Sequence, residues 1–136
     1  MEFVWPIRVY YEDTDAGGVV FYANYLRFME RARTEWLRSL GFEQDALMQD
    51  PGIVFAVRRT EVDYLLPARF NEMLNVVSRV EQMRGATLTF AQRIIRATDQ
   101  QALCRGVVKV ACLDRDNMRP TRIPAAIRDQ IPITDQ

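Results

Sequence analysis

Only one stretch of this chain carries a long helical period. From Tyr22 onward, apolar side chains recur at Tyr25, Phe28, Met29, Ala32, Trp36 and Leu40, spaced to fall on one face of a helix over 22–40. The opposite face carries Arg27, Glu30, Arg31, Thr34, Glu35 and Arg38, with Arg31 and Glu35 four apart and able to pair. Gly41 follows as a cap. A helix with so apolar a face must lie on something, and no second helix of comparable length exists. Its partner is expected to be a sheet.

The remaining sequence can supply one. Val4 to Tyr11 reads as a strand, and Pro6 near its start argues for an edge position or a bulge. Four further strands are expected at 53–65, 73–83, 86–98 and 103–113, all rich in Val, Ile, Phe and Thr. Their separators are Pro67 to Asn71, Arg84-Gly85 and Thr98 to Gln101, short enough to predict an antiparallel meander. Val107 to Cys112 shows little alternation, so that strand should be covered on both faces. Short helices are expected at Phe42 to Asp50, stopped by Pro51-Gly52, and at Pro124 to Gln130. The fold class is therefore α+β, a five-stranded antiparallel sheet wrapped around one long central helix. Such a sheet keeps two edges and an open face, so self-association is expected.

Composition narrows the function classes. With 136 residues, 49% of them hydrophobic, the chain is read as one domain over 1–136. Eighteen basic residues balance eighteen acidic ones, leaving no overall field to select nucleic acid or an anionic membrane. No signal-peptide pattern or transmembrane segment is read, and a cytoplasmic location is expected. Cys104 and Cys112 suit that location, because residues eight apart in one strand stand about 26 Å from each other, beyond the reach of a disulfide. The chain has no histidine. That removes Ser-His and Cys-His arrangements, histidine zinc sites and any histidine base.

Chemistry concentrates just before the helix. Glu12, Asp13 and Asp15 precede Gly17 and Gly18, whose backbones can approach a ligand closely, and the helix start offers N–H groups with partial positive charge. Asp15 is the leading candidate for a catalytic carboxylate, with Glu12 and Asp13 as rivals. For all three the competing role is bonding their own loop backbone.

The run Y-Y-E-D-T-D-A-G-G-V-V-F-Y-A-N-Y-L-R-F-M-E-R-A-R-T-E-W-L closely resembles the signature of the hotdog-fold acyl-CoA thioesterases related to 4-hydroxybenzoyl-CoA thioesterase, particularly the branch associated with the bacterial Tol-Pal system. The match continues through V-D-Y-L-L-P-A-R-F-N-E-M-L, M-R-G-A-T-L-T-F-A-Q-R-I and V-V-K-V-A-C-L-D, covering about residues 6 to 120. The resemblance implies a hotdog domain, homodimeric or homotetrameric, that hydrolyses acyl-CoA without metal or organic cofactor. An acyl carrier protein is the alternative carrier. It further implies that Asp15, second in the D-x-D pair, is the catalytic carboxylate, as nucleophile or as base for a water. The backbone N–H of Tyr22 would polarise the carbonyl. Many members of the Tol-Pal branch have histidine where this chain has Tyr22, although the 4-hydroxybenzoyl branch tolerates tyrosine in a similar V-x-Y context. Glu30 faces the acyl pocket in some relatives, whereas the residues alone read it as a solvated helix face. Coenzyme A phosphates need cations, and Arg84, Arg58 and Arg59 are the candidates. Hydratase chemistry on the same fold typically uses a histidine, so the remaining competitor is a non-catalytic acyl or carrier-protein binding module.

Overall fold

Helix α1 covers Asn24–Ser39 and buries Tyr25, Phe28, Met29, Ala32, Trp36 and Leu37, the face that the period marks out. It begins later than expected because Tyr22 and Ala23 form a turn, closed by the Asn24 N–H donating to the Phe21 carbonyl at 2.8 Å. It ends as expected. Gly41 adopts φ +99°, its N–H donates to Arg38 O at 2.9 Å, and the Phe42 N–H donates to Leu37 O at 3.2 Å, the paired bonds of a Schellman cap. Glu35 pairs with Arg38 at 2.6 Å instead of Arg31, since Arg38 also reaches Glu43 beyond the cap at 3.1 Å.

The computed structural model describes residues 1–132. The other elements are β1 (Phe3–Arg8), α2 (Gln44–Gln49), β2 (Ile53–Tyr64), β3 (Met73–Arg84), β4 (Thr87–Arg96), β5 (Ala102–Asp114) and α3 (Ala125–Arg128). All strand pairs are antiparallel, in the order β1-β3-β4-β5-β2. β1 is an edge strand, as Pro6 suggested.

The expected meander needs correction. β3, β4 and β5 follow one another through hairpins, but β2 pairs with β5, from Ile53 opposite Asp114 to Tyr64 opposite Cys104. The connection at 65–72 is thus a crossover from one sheet edge towards the other, past the start of α1. Its backbone groups are satisfied along the way. Leu65 and Leu66 N–H donate to Leu103 O at 2.9 and 3.1 Å, Ala68 N–H to the Tyr25 hydroxyl at 3.0 Å, and Asn71 N–H to Val9 O at 2.9 Å. Proline and asparagine mark a chain reversal and a crossover alike, which is why turn chemistry could not separate them.

α1 rests on the sheet through two apolar clusters. Near its start Tyr25, Phe28 and Met29 meet Leu74, Val76, Ile94 and Leu103; near its end Trp36 and Leu37 meet Val80, Phe90 and Val108. Within the expected stretch β5 is covered on both faces over Val110, Ala111 and Cys112, where the C-terminal segment docks and the Thr121 N–H donates to Cys112 O at 2.9 Å; Leu103 and Cys104 near its start are buried likewise. Earlier in the strand Arg105, Val107 and Lys109 are exposed, so the expected double cover holds for part of its length. No helix among the described residues is long and apolar enough to cross a membrane.

Both cysteines are free and buried. Burial pushes the Cys104 thiol up to about 12, with the Asp63 charge a smaller cause, and the Cys112 thiol up to about 11. Raised values stabilise the fold below the ordinary thiol range of about 8.5, and that contribution is lost as pH climbs through the folded values. Each thiol should steepen the alkaline loss by up to about 1.4 kcal/mol per pH unit. Denaturant unfolding at pH 8, 9 and 10 should show this loss. A Cys104→Ala, Cys112→Ala double variant should be less stable at pH 8 but flatter above it; an unchanged slope would place the alkaline sensitivity elsewhere.

Candidate active site

The loop between β1 and α1 is a small hairpin with a single turn of 3-10 helix, Tyr11–Asp13, at its root. Thr14 and Val20 form an antiparallel bridge, the Asp15 N–H donates to Val19 O at 2.9 Å, and the Phe21 N–H donates to Asp13 O at 2.9 Å. Gly18, at φ +81°, closes the tip by donating its N–H to Asp15 O at 3.0 Å. A side chain at Gly18 would be strained in that conformation.

The three acidic residues separate by environment. Asp13 is 5% exposed and its carboxylate is fully engaged, accepting from the Tyr10 N–H at 2.8 Å and from the Asn24 side-chain amide at 2.9 Å. It staples the loop root to the first residue of α1. Asp15 is exposed, and only its Oδ1 is held, by the Gly17 N–H at 2.8 Å. A Cβ on residue 17 would sit 3.3 Å from that oxygen, so glycine there keeps the carboxylate unobstructed. Glu12 is exposed beside Arg8 and Arg31, on a different concavity from Asp15. Asp15 shares an open cleft with Tyr11, Thr14, Ala16, Gly18 and Phe70.

At the start of α1, the first N–H groups of the helix are already used. Asn24, Tyr25 and Leu26 donate to Phe21 O, Tyr22 O and Ala23 O at 2.8, 3.3 and 3.2 Å. The N–H groups of Tyr22 and Ala23 have no hydrogen-bond partner among the described residues. Because Asp13 and Phe21 are paired, Tyr22 and Asp15 lie about three residues apart along the ribbon, roughly 10 Å between main chains. The Tyr22 side chain is 62% exposed and its ring lies 4.9 Å from that of Phe21 and 6.1 Å from that of Tyr64.

The structure does not bring the other candidates to this cleft. Glu30 lies two turns along α1 on an exposed face, where its carboxylate accepts a hydrogen bond from the Thr34 hydroxyl at 2.8 Å. Arg58 and Arg59 are exposed midway along β2, at a bulge, with Arg59 3.3 Å from Glu61. Arg84 precedes the β3–β4 turn, ten residues beyond Leu74 and so about 33 Å further along the strand. What sequence reasoning missed is the crossover. Phe70 packs at a tilt 5.3 Å from Tyr11 in the cleft, Arg69 bridges to Val19, and Tyr64, just before the crossover, packs 5.6 Å from Tyr25. The matching segment V-D-Y-L-L-P-A-R-F-N was the available signal.

Residues 9–131 match the family model described as the thioesterase-like superfamily. An acyl-CoA thioesterase, YbgC, of Haemophilus influenzae is 45% identical over 126 residues, spanning 93% of this chain and 91% of the relative. An acyl-CoA thioester hydrolase YbgC of Escherichia coli O6:H1 is 48% identical over 125 residues, spanning 92% of both. Among solved structures, a probable thioesterase from Bartonella henselae superposes with a TM-score of 0.86 at 32% identity, over 91% of this chain and 100% of the other. A 4-hydroxybenzoyl CoA thioesterase mutant, solved with 4-hydroxybenzoyl CoA, gives a TM-score of 0.90 at 17% identity, over 96% of this chain and 99% of the other, a likeness of fold. The sheet wrapped on one helix is the hotdog fold.

Proposed function

This chain belongs to the thioesterase-like superfamily, and from that premise we propose that it hydrolyses acyl-CoA thioesters at the cleft between Asp15 and the start of α1. The observation that carries the reading is the pairing of a carboxylate turned outward on a glycine hairpin with two unpartnered N–H groups at a helix entrance. A thioester carbonyl accepting from the Tyr22 or Ala23 N–H becomes more electrophilic, and the oxyanion that develops on it is stabilised by several kcal/mol once water is excluded. The free Oδ2 of Asp15 then has two routes. It attacks the carbonyl carbon, expelling the coenzyme A thiolate and leaving a mixed anhydride that water cleaves, or it takes a proton from a water that attacks in its place. In both routes the products are a carboxylate and a free thiol. Catalysis occurs in the cytoplasm, and an acyl carrier protein is the alternative carrier of the acyl group.

Release of free thiol from acyl-CoAs of increasing chain length, followed spectrophotometrically, tests this. Turnover of at least one length supports the reading, whereas tight binding with no thiol released at any length would point to a binding module.

The working form is proposed to be a dimer or tetramer. β2 is an unpaired sheet edge of 12 residues, and Phe21, Tyr22, Val57, Tyr64, Leu65 and Phe70 are exposed around it and the cleft. An apolar margin beside a free edge favours a second copy. Arginines remote from Asp15 within one chain could then reach coenzyme A bound to its partner. Light scattering at micromolar concentration should give a multiple of 15.8 kDa. A fully active species at the monomer mass would contradict it.

A further inference from the structure

Further along α1, a second cavity of about 100 Å³ opens between the helix and the β2 side of the sheet. Its walls are largely apolar, formed by Trp36, Leu37, Phe55, Leu88, Phe90 and Val110, while Glu30, Thr34 and Gln44 add polar groups to the lining. One guanidinium, that of Arg33, intrudes on them. Arg33 donates from Nη1 to the Gln92 side-chain carbonyl at 3.0 Å. Gln92 is itself fixed, because its amide donates to Met29 O at 3.0 Å and to the Ser78 hydroxyl at 2.9 Å, which turns its oxygen towards the arginine. No carboxylate lies within 4.0 Å of Arg33 among the described residues. Glu30, one turn earlier at the mouth, is turned to Thr34. Burial pushes the Arg33 guanidinium below its usual range, and the Glu30 charge offsets this only in part. A half-buried cation whose partner among the described residues is a neutral amide is half of an anion site.

Its position relative to the cleft gives this cation a meaning. Ala23, Leu26, Glu30, Arg33 and Leu37 succeed one another at steps of three and four and so follow one stripe of the helix. From Ala23 to Arg33 the axis rises about 15 Å. Across from the stripe, Tyr64 and Val57 of β2 pair with the buried Cys104 and Val110, and both are partly exposed together with Leu26. A path along this stripe therefore leads from the unpartnered N–H groups, past Glu30, to the cavity.

Resting on the thioesterase reading above, we propose that the acyl chain lies along this path with its far end in the cavity, and that Arg33 selects chains ending in a carboxylate. The preferred substrates are then half-thioesters of dicarboxylic acids of medium length, and Arg33 is a specificity residue remote from the bond that breaks.

The test compares kcat/KM for decanoyl-CoA and sebacoyl-CoA, which share a chain length and differ in ending with a methyl or a carboxylate. The wild-type protein should favour sebacoyl-CoA by about tenfold or more. Arg33→Met should abolish or reverse that preference, while Arg33→Lys should retain it in weaker form. Because each ratio is taken on one preparation, lost stability or lower active fraction cancels. Equal kcat/KM for the two substrates, or a preference that survives Arg33→Met, would overturn the inference. If short acyl-CoAs are hydrolysed in an Asp15-dependent way but neither long substrate is, the inference fails and the thioesterase reading stands. If no acyl-CoA of any length is turned over, both fail.

Discussion

Asp15→Asn is expected to lower turnover at least about a hundredfold while leaving the fold intact, since asparagine keeps the shape and loses both nucleophile and base. The turn should survive, because an amide oxygen can accept from the Gly17 N–H as Oδ1 does. Asp15 is exposed and makes no other side-chain bond among the described residues, so stability should move by no more than about 0.5 kcal/mol. Asp13→Asn provides the contrast. Both its oxygens accept hydrogen bonds, from Tyr10 and Asn24, and an amide must point its NH2 at one of those donors. The cost should be about 1–3 kcal/mol of stability. Thermal melts and kcat at a temperature where both variants are folded separate the two roles. Asp15→Asn retaining more than a tenth of wild-type turnover, or Asp13→Asn losing as much as Asp15→Asn, would defeat the assignment.

Tyr22→Pro should be nearly as damaging, for a backbone reason. The Tyr22 N–H makes no bond within the described chain, and Tyr22 follows Phe21 in the turn that Asn24 closes, the position where proline is best tolerated. Substitution therefore deletes one N–H with little disturbance of the helix start. If that N–H polarises the thioester, kcat should fall about a hundredfold to a thousandfold. Tyr22→Ala removes the ring and keeps the N–H, so it should alter KM far more than kcat. Equal kcat for Tyr22→Pro and Tyr22→Ala would move the carbonyl-binding group elsewhere, with the Ala23 N–H next in line.

Which parts of this molecule could be read from sequence depends on the range of the interaction concerned. The buried face of α1, its Gly41 cap and the extents of β2 to β5 follow from side-chain period and turn chemistry, both local, and they lie close to the expected positions. Strand order is a long-range property. Nothing within residues 53–72 says that β2 must wait for β5, so a meander was the natural but mistaken expectation. The loop carboxylates behave similarly. Asp13 and Asp15 are the same residue type two positions apart, and only the capture of Asp13 by Tyr10 and Asn24 turns one inward and leaves the other facing solvent. Arg58, Arg59 and Arg84 are candidates as cations at a turn and on strands, and neither feature says how far from Asp15 the folded chain places them. A helical arginine usually reaches water, whereas Arg33 is half-buried and held by Gln92, 59 residues away.

The pairing of β2 with β5 also bears on how the protein is made. Partners in that ladder are separated by 40 residues at Tyr64 and Cys104 and by 61 at Ile53 and Asp114. Long loops must close before such contacts repay their entropy, which slows folding relative to hairpin-dominated sheets. On the ribosome, β2 leaves the exit tunnel with its backbone unpaired and Ile53 and Phe55 uncovered until β5 follows. The hairpins of β3, β4 and β5 can form during that interval, so they offer a template onto which the older strand is laid last. The crossover that carries Arg69 and Phe70 to the catalytic loop is anchored to Leu103 at the start of β5, and so it too is fixed late. Catalytic competence would thus appear only in nearly full-length chains, and a nascent chain stalled within β5 would expose a sticky strand without any working cleft.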